Sequence, residues 1–356
     1  MLAALLCLLA AEPVDVFTAG DGYPTYRIPS LVNAGGTPVA FAEGRQSVLD
    51  HAGNDLVARR SEDGGRTWGD LIVVAAEEGD LSLNNPQAVV LPDDSPHPGR
   101  ILLHYQRSAA AEREVQPGFE GDLVARTFQR HSDDAGRTWS DAREITRQVK
   151  RDTPVTTSAS GPGIGIVLSK GPHAGRILMP FNQGPYNEWR TYVAYSDDWG
   201  GTWTMGGLAP EPVGGLNGSH ANEVQVAERP DGSVLMNARS QPGATRRLQC
   251  VSEDGGETWS PLAFHETLVS PTCQASLLRL SDGRLAFCNP ASEKGRKNGV
   301  LRVSDDGGDT WSDGVGIHDG GFAYSCMAEL PGGRVGVLYE RDGYKAITFR
   351  AVDVPQ

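Results

Sequence analysis

Nine polar residues stand outside the regular pattern of this 356-residue chain, and their side chains could do chemistry. They are four arginines, four carboxylates and one tyrosine, namely Arg27, Arg45, Asp50, Asp55, Glu223, Arg239, Arg296, Tyr324 and Glu340. Taken singly, each is more often a solvated charge than a functional group. Gathered together, the arginines could bind an anion, because a guanidinium stays charged and donates in a planar fork. The set is spread over most of the chain, so only a particular fold can bring it together.

One turn motif occurs five times and indicates what that fold is. Its sequence is Ser-x-Asp-x-Gly-x-Thr-Trp, and the copies, which we call boxes, span 61–68, 132–139, 196–203, 252–259 and 304–311. In such a turn Asp accepts hydrogen bonds from backbone amides, Gly permits a positive φ and Trp supplies buried apolar area. The acidic motif also resembles a calcium loop. Five near-identical copies fit a structural fastener better than five metal sites.

A second repeat lies between the boxes. Each unit has two apolar runs joined by a turn that contains glycine, which is typical of a β-hairpin. The six hairpins span 31–45, 89–105, 166–181, 224–239, 276–290 and 327–340, and after each of the first five a third strand leads into a box. The pattern predicts an all-β, six-bladed β-propeller of four-stranded antiparallel blades, with a β-sandwich or β-helix as the alternative. The sixth unit has no box, and Val14–Phe17 is expected to supply part of its closing strand.

The order of strands within a blade predicts where function lies. If A to D are the four strands of a blade, the A–B turn and the box between C and D share one end of the blade. Residues at the start of A, the end of B and the B–C loop share the other end. All nine residues fall in these latter positions: Arg27, Glu223 and Tyr324 at starts of A, Arg45, Arg239 and Glu340 at ends of B, and Asp50, Asp55 and Arg296 in B–C loops. They can therefore converge on one pocket around the axis.

Composition narrows the functional classes. The net charge of −13 and the pI near 5.1 argue against a nucleic-acid partner, which needs clustered Lys and Arg. No basic stretch is long enough to act as a membrane-surface patch, and we expect no stable membrane insertion. The 44 glycines and 23 prolines suit a chain with many turns, and no linker composition divides it. A single domain over 12–356 is predicted.

The N-terminal segment and the cysteines are less informative. Residues 1–11 form an apolar run that is typical of a signal-peptide core, and they favour a secreted or periplasmic protein; a misplaced start codon is the alternative. The five cysteines, Cys7, Cys250, Cys273, Cys288 and Cys326, have no metal-ligand spacing. Buried free thiols are favoured, and a Cys273–Cys288 or Cys250–Cys326 disulfide stays open.

Several segments together resemble the sialidases (neuraminidases) of the bacterial and animal exo-α-sialidase type. The resemblance extends from Tyr26-Arg27-Ile28-Pro29, through Asn222-Glu223, Arg239, Arg296 and Tyr324-Ser325, to Leu338-Tyr339-Glu340. It implies a six-bladed propeller and a glycoside hydrolase that needs no metal or organic cofactor. The expected substrates are terminal sialic acids of glycoproteins, glycolipids or oligosaccharides, cleaved with retention through a tyrosyl-sialoside intermediate.

The resemblance also implies a role for each of the nine residues. Arg27, Arg239 and Arg296 resemble the arginine triad that grips the sialic acid carboxylate, and Glu340 resembles the carboxylate that orients the first arginine.

The remaining five residues resemble the reacting groups and the contacts to the sugar ring. Tyr324 resembles the nucleophile and Glu223 its proton-accepting partner. A neutral phenol suits an anomeric carbon that carries a carboxylate, because it is not repelled as an anionic nucleophile would be. Asp50 resembles the general acid/base. Arg45 and Asp55 resemble residues that contact the 4-hydroxyl group of the sugar.

The same nine residues also fit two alternative functions. The same residues would serve a trans-sialidase or an enzyme that forms anhydro-sialic acid. A non-catalytic carbohydrate-binding propeller is disfavoured, because it would have no reason to keep the tyrosine, the acids and the arginines together.

Trp189 is the only tryptophan outside the boxes. We predict that Trp189 or Tyr186 packs against the N-acetyl/glycerol side of the sugar or against the aglycone; a loop-anchoring aromatic is the alternative.

Overall fold

The structure, a computed structural model, describes residues 12–79, 81–109, 115–186, 188–242 and 244–354. Strands dominate these residues, and helix is limited there to α1 (Thr146–Val149) and a 3₁₀ turn at Gly171–His173. No helix in these ranges is long and apolar enough to cross a membrane. The predicted signal peptide and Cys7 lie outside the described residues.

Short strands in meandering order form the first two blades. The first strand of the chain is β1 (Val14–Thr18). Blade 1 then consists of β2 (Thr25–Ala34), β3 (Thr37–Arg45), β4 (Asp55–Arg60) and β5 (Ile72–Ala75). Blade 2 consists of β6 (Leu81–Val90), β7 (Ile101–Ala109), β8 (Arg126–Ser132) and β9 (Arg143–Glu144).

The inner edge of blade 3 is broken into short pieces. Blade 3 comprises β10 (Ser158–Ser160), β12 (Ile166–Val167), β13 (Ile177–Gln183), β14 (Arg190–Ser196) and β15 (Thr204–Met205), and β11 (Gly163–Ile164) lies between β10 and β12 in the chain. β10 and β12 pair with β13, whereas β11 pairs in parallel with β6 of blade 2. Blade 4 is regular, with β16 (His220–Glu228), β17 (Val234–Gln241), β18 (Arg246–Ser252) and β19 (Ala263–Val269).

One long strand joins the last two blades into a seven-stranded sheet. Its strands are β20 (Ser276–Arg279), β21 (Leu285–Pro290), β22 (Lys297–Ser304), β23 (Val315–Leu330), β24 (Arg334–Arg341), β25 (Ala346–Asp353) and β1. The first part of β23 pairs with β22 as the outer strand of blade 5, and its second part pairs with β24 as the inner strand of blade 6. β1 pairs with β25 and closes blade 6.

This arrangement confirms the predicted all-β propeller class. Each hairpin identified in the sequence corresponds to an A–B strand pair, and each run before a box corresponds to a C strand. The closing strand at Val14–Phe17 is confirmed by its pairing with β25. The described strands form five hydrogen-bonded sheets, of seven, five, five, four and four strands, and the seven-stranded sheet contains the last two of the six hairpins. Neither a two-sheet sandwich nor a parallel β-helix has this pairing.

The boxes have the same hydrogen-bond pattern in every copy. In the last copy, Asp306 Oδ1 accepts hydrogen bonds from Ser304 Oγ at 2.7 Å and from the Thr310 amide at 2.9 Å, and Oδ2 accepts one from Thr310 Oγ1 at 2.5 Å. The other copies repeat these contacts. Each box carboxylate thus stabilises its own turn, as the structural interpretation predicts.

The glycine at the fifth position of each box packs closely against the preceding blade. A Cβ atom at Gly65 would lie 2.0 Å from Phe349 of blade 6, and one at Gly308 would lie 2.4 Å from Leu235 of blade 4. Gly136, Gly200 and Gly256 meet side chains of the preceding blade in the same way. These glycines also have positive φ, so both backbone conformation and close packing require glycine here. Each box therefore forms a turn and also packs its blade against the preceding one, a contact between blades that we call a seam.

The four described cysteines pack as small hydrophobes. Cys250, Cys273, Cys288 and Cys326 are all buried and free. The prediction of buried thiols is confirmed for these four, and neither of the disulfides left open is formed.

Two adjacent aspartates in the last box, Asp305 and Asp306, allow its structural role to be tested. Asp306→Ala should lower the free energy of unfolding by about 1–2 kcal/mol near neutral pH, because it removes several hydrogen bonds to one turn. Desolvation alone would raise the pKa of Asp306, but the hydrogen bonds from Thr310 lower it to about 2. The carboxylate therefore stabilises the fold above pH 4, and this contribution is lost as the pH falls towards 2.

Urea unfolding at several pH values measures this effect. Asp305→Ala is the control, since Asp305 lies next in the chain and its side chain is exposed. The role assigned to the box would be contradicted if both substitutions lowered the free energy of unfolding equally. It would also be contradicted if Asp306→Ala still lowered that free energy by the same amount at pH 2.

Candidate active site

A cleft opens at the end of the propeller opposite the boxes, with a cavity volume of about 710 Å³. Five of the predicted residues line it: Arg45, Asp50, Glu223, Arg239 and Tyr324. The other lining residues are mostly polar or aromatic, and they come from blades 1 to 4: Ile28, His51, Asn84, Asn85, Gln106, Val115, Thr156, Thr157, Ala159, Asn182, Pro185, Tyr186, Trp189, Asn222 and Gln241. The predicted convergence at the box-free end is thus observed for these five residues.

A tyrosine and a glutamate form the centre of the cleft. The Tyr324 hydroxyl donates a short hydrogen bond to Glu223 Oε1, and Arg239 Nη1 lies 2.7 Å from Glu223 Oε2 and 3.1 Å from the Tyr324 oxygen. Burial raises the pKa of Tyr324 well above its ordinary value of 10, and the Glu223 carboxylate adds to that rise. The phenol is therefore protonated, and it can become a nucleophile only if a base takes its proton. Glu223 is in position to do so.

A buried carboxylate holds one arginine and the tyrosine strand together. Glu340 is fully buried; its Oε1 accepts hydrogen bonds from Arg27 Nε at 2.7 Å and from the Ile28 amide at 2.8 Å. Its Oε2 accepts one from the Tyr324 amide at 3.2 Å. Burial opposes the charge of Arg27, but Glu340 raises the pKa of that guanidinium above its ordinary value. The predicted contact between Glu340 and Arg27 is present.

Three arginines surround the tyrosine ring. The guanidinium carbons of Arg27 and Arg296 lie 5.2 and 5.3 Å from the Tyr324 ring centroid, and Arg239 reaches its hydroxyl. Arg296 also donates a hydrogen bond of 3.1 Å to the hydroxyl of Tyr344. Three permanent cations around one phenol can bind an anionic group and stabilise a phenolate.

Asp50 lies at the mouth of the cleft and is paired with Arg45. Arg45 Nη1 is 2.9 Å from Asp50 Oδ1, and Arg27 Nη1 is 3.9 Å from the same oxygen. The Asp50 side chain is 76% exposed. Desolvation, which favours the neutral acid, is therefore outweighed by the Arg45 cation, and the pKa of Asp50 lies below its ordinary value.

Asp55 does not join this group. Its carboxylate accepts a hydrogen bond of 2.7 Å from the Tyr23 hydroxyl, and it is absent from the cleft wall. The reason is the position of Asp55 as the first residue of β4, where the alternation of a strand directs neighbouring side chains to opposite faces. Its neighbour Asn54 donates to the backbone oxygen of Asp50 at 2.8 Å and supports the loop instead.

Interruptions of the inner strands explain how the central side chains reach the cleft. The pairing register shifts between Arg27 and Ser30 in β2, between Asn84 and Gln87 in β6, between Ala221 and Val224 in β16, and between Phe322 and Ser325 in β23. Such bulges re-aim side chains at a local kink. At two of them a non-glycine residue has positive φ, Ile28 at 60° and Asn85 at 57°. This costly conformation persists because the surrounding contacts hold it.

Sequence reasoning missed the residue that holds Arg45. Glu43 is fully buried; its Oε2 lies 2.5 Å from Arg45 Nη2, and its Oε1 accepts a hydrogen bond of 2.7 Å from the Asn85 amide. A glutamate within the apolar strand 38–45 was the signal for it, since charged side chains are rarely buried unless they are paired. Among described residues, no cluster of three or more His, Cys, Asp or Glu side chains has an arrangement that could hold a metal.

An aromatic pair forms part of the cleft wall in blade 3. Tyr186 and Trp189 both line the cavity, and their ring centroids are 6.1 Å apart in an edge-to-face arrangement. Tyr186 is 72% exposed, so the pair lies at the rim and not in the core. The predicted position on this face is observed.

The chain is similar to known proteins over nearly its whole length. It matches the BNR repeat-like domain family over residues 36–337. A sialidase of Micromonospora viridifaciens is 33% identical over 341 residues, which cover 90% of this chain and 50% of that protein. A sialidase of Paraclostridium sordellii is 31% identical over 361 residues, which cover 91% of this chain and 84% of that protein.

The fold of this chain is also similar to that of a solved sialidase structure. The Hadza microbial sialidase Hz136 has a TM-score of 0.85 and 28% sequence identity, covering 96% of this chain and 68% of that chain. The chain spans about half the length of the Micromonospora relative and about two thirds of the Hz136 chain.

Proposed function

The chain belongs to the sialidase family, and from that membership we propose that it is an exo-α-sialidase acting on sialylated glycans. The observation that carries the proposal is the hydrogen bond between Tyr324 and Glu223 inside a ring of three arginines. In this proposal the reaction releases terminal sialic acid from glycoproteins, glycolipids or oligosaccharides, with retention of the anomeric configuration.

The arginines bind the substrate in this proposal. Sialic acid carries a carboxylate on its anomeric carbon, and Arg27, Arg239 and Arg296 supply a cationic site next to Tyr324. A carboxylate held there would place the anomeric carbon beside the phenol oxygen. Orienting the two reacting atoms in this way removes much of the entropy barrier of the step.

The first half of the reaction forms a covalent bond to the tyrosine. The Tyr324 oxygen attacks the anomeric carbon while the phenol proton passes to Glu223. The bond to the leaving oxygen breaks, and Asp50 donates a proton to that oxygen. In the second half, Asp50 takes a proton from water, which attacks the same carbon, and the released phenolate regains its proton from Glu223.

The state of Asp50 imposes a condition on this mechanism. Arg45 holds the free carboxylate ionised, which is the form that activates water. Donation of a proton therefore requires that bound substrate first cover Asp50 and exclude water, because desolvation favours the neutral acid. The exposed position of Asp50 at the cleft mouth leaves room for this change.

The central test replaces the tyrosine. Tyr324→Phe should reduce kcat on a fluorogenic sialoside by at least roughly 10³-fold, because the covalent step loses its nucleophile. Tyr339→Phe is the matched control: Tyr339 is buried on the adjacent β24 and makes a stacked ring contact with Phe322. Wild-type turnover in Tyr324→Phe would refute the mechanism. Product analysis then separates free sialic acid from a transferred or anhydro product.

A second test separates the acid role of Asp50 from a structural one. Asp50→Ala should lower kcat on an alkyl-linked sialoside by roughly 10²–10⁴-fold. The loss should be much smaller on an aryl sialoside, since a good leaving group departs without protonation. Steady-state kinetics with both substrates measure this difference, with the exposed Asp93→Ala at the box end as control. An equal loss on both substrates would argue against proton donation by Asp50.

A third test concerns the aromatic pair. Trp189→Ala should raise KM by roughly 2–10-fold, the amount expected when one aromatic contact is lost, with a smaller effect on kcat. Trp199→Ala is the control, because Trp199 belongs to the third box at the other end of the molecule. If KM is unchanged for every sialoside in a linkage-defined panel, Trp189 anchors its loop and does not contact substrate.

A further inference from the structure

Two apolar side chains are exposed beside the proposed acid, on the loop between β3 and β4. Val48 is 67% exposed and Leu49 is 59% exposed, and they directly precede Asp50. Large apolar side chains are exposed at only six of the described positions, and another of the six, Tyr186, lines the same cleft from blade 3. Apolar surface that gathers at the mouth of a cleft needs an explanation, whereas a single exposed apolar residue does not.

The backbone of this loop is held by buried polar side chains. Arg45 Nη1 donates to the Leu49 carbonyl oxygen at 3.1 Å. The carbonyl oxygen of Asp50 accepts hydrogen bonds from Asn54 Nδ2 at 2.8 Å and from Asn84 Nδ2 at 2.7 Å. All three donor side chains are buried. The loop therefore has a defined conformation, and that conformation leaves both apolar side chains in contact with solvent.

The direction of the scissile bond follows from the order of residues along the cleft. Tyr324 is buried at the centre of the cleft, whereas Asp50 is exposed at its mouth. In the proposed reaction the phenol attacks one side of the anomeric carbon, and Asp50 protonates the oxygen that leaves from the other side. The leaving group therefore points outwards, past Asp50 and towards solvent.

Val48 and Leu49 lie where that leaving group must pass. Neighbouring Cα atoms are about 3.8 Å apart, so the Leu49 side chain begins close to the acid that contacts the leaving oxygen. Neither residue lines the cavity itself, which holds the sugar in the proposed reaction. Both side chains are thus outside the cavity, at the exit of the leaving group.

We propose that Val48 and Leu49 are specificity-determining residues that bind an aliphatic surface of the aglycone, the group that leaves with the glycosidic oxygen. This inference rests on the proposed function, because it takes Asp50 as the acid and Tyr324 as the nucleophile. The favoured substrates are sialosides whose aglycone is apolar next to the scissile bond. An aglycone seated on these side chains also excludes water from Asp50, which is the condition that proton donation requires.

Two sialosides with alkyl aglycones of similar length test the proposal. One carries an octyl chain and the other a triethylene glycol chain, so both leave as primary alcohols but only the first is apolar. Leu49→Ser should lower kcat/KM on the octyl sialoside by roughly 3–10-fold, because the aglycone loses its contact with an aliphatic side chain. On the glycol sialoside the change should stay below about 2-fold. The constant kcat/KM includes every step up to departure of the leaving group, so it reports on the aglycone.

Three further variants separate an aglycone contact from a general disturbance of the loop. Val48→Ser should repeat the selective loss on the octyl sialoside. Leu49→Met keeps an apolar side chain and should keep the wild-type ratio of the two kcat/KM values. Val73→Ser is the matched control, since Val73 is also an exposed valine of blade 1 but lies on the outer strand β5, and it should change neither value.

A loss of equal size on both sialosides would overturn the proposal, because Leu49 would then act only by positioning Asp50. An unchanged octyl kcat/KM in Leu49→Ser would overturn it too, as would the same selective loss in Val73→Ser. In each of these cases the wild-type protein still cleaves both substrates, so the proposed function stands. If the wild-type protein cleaves no sialoside, the proposed function fails, and this inference fails with it.

Discussion

The site depends on one buried carboxylate, Glu340. An ionised group without solvent is tolerated only when its oxygens are saturated, and here Arg27, the Ile28 amide and the Tyr324 amide satisfy them. Those donors belong to β2 of blade 1 and β23 of blade 6, so the same contact closes the ring of blades and sets the position of two site residues. The unusual φ of Ile28 is stabilised by this hydrogen bond. Folding energy and active-site geometry are thereby linked in a single side chain.

The two ends of the propeller differ in how their backbone and side chains are packed. At the box end, each turn satisfies its own backbone and presses a glycine against the preceding blade, so the seams are close-packed and regular. At the cleft end the inner strands are interrupted by bulges, and buried ions replace apolar packing. This division explains why the repeated motif and the reactive residues occupy opposite ends.

Much of this architecture could be predicted from the sequence because its signals are local. Hairpins, boxes and the closing strand at Val14–Phe17 follow from short patterns of apolar, turn and glycine residues. The convergence of Glu223, Arg239 and Tyr324 followed from their positions at strand ends together with a family resemblance. The sugar contact of Asp55 stays a prediction, and in this structure its carboxylate is held by the Tyr23 hydroxyl. Glu43 was missed because its importance comes from burial, which arises only when distant segments pack.

The long strand β23 has a mechanical consequence. Elsewhere the box of one blade packs against side chains of the preceding blade. Between blades 5 and 6 the joint is the polypeptide itself, which runs from the outer edge of one blade to the inner edge of the next. Relative rotation of these two blades would bend a covalent strand that carries Tyr324 midway along its length. That strand shifts register between Phe322 and Ser325, so such a rotation would act directly on the segment that holds the proposed nucleophile.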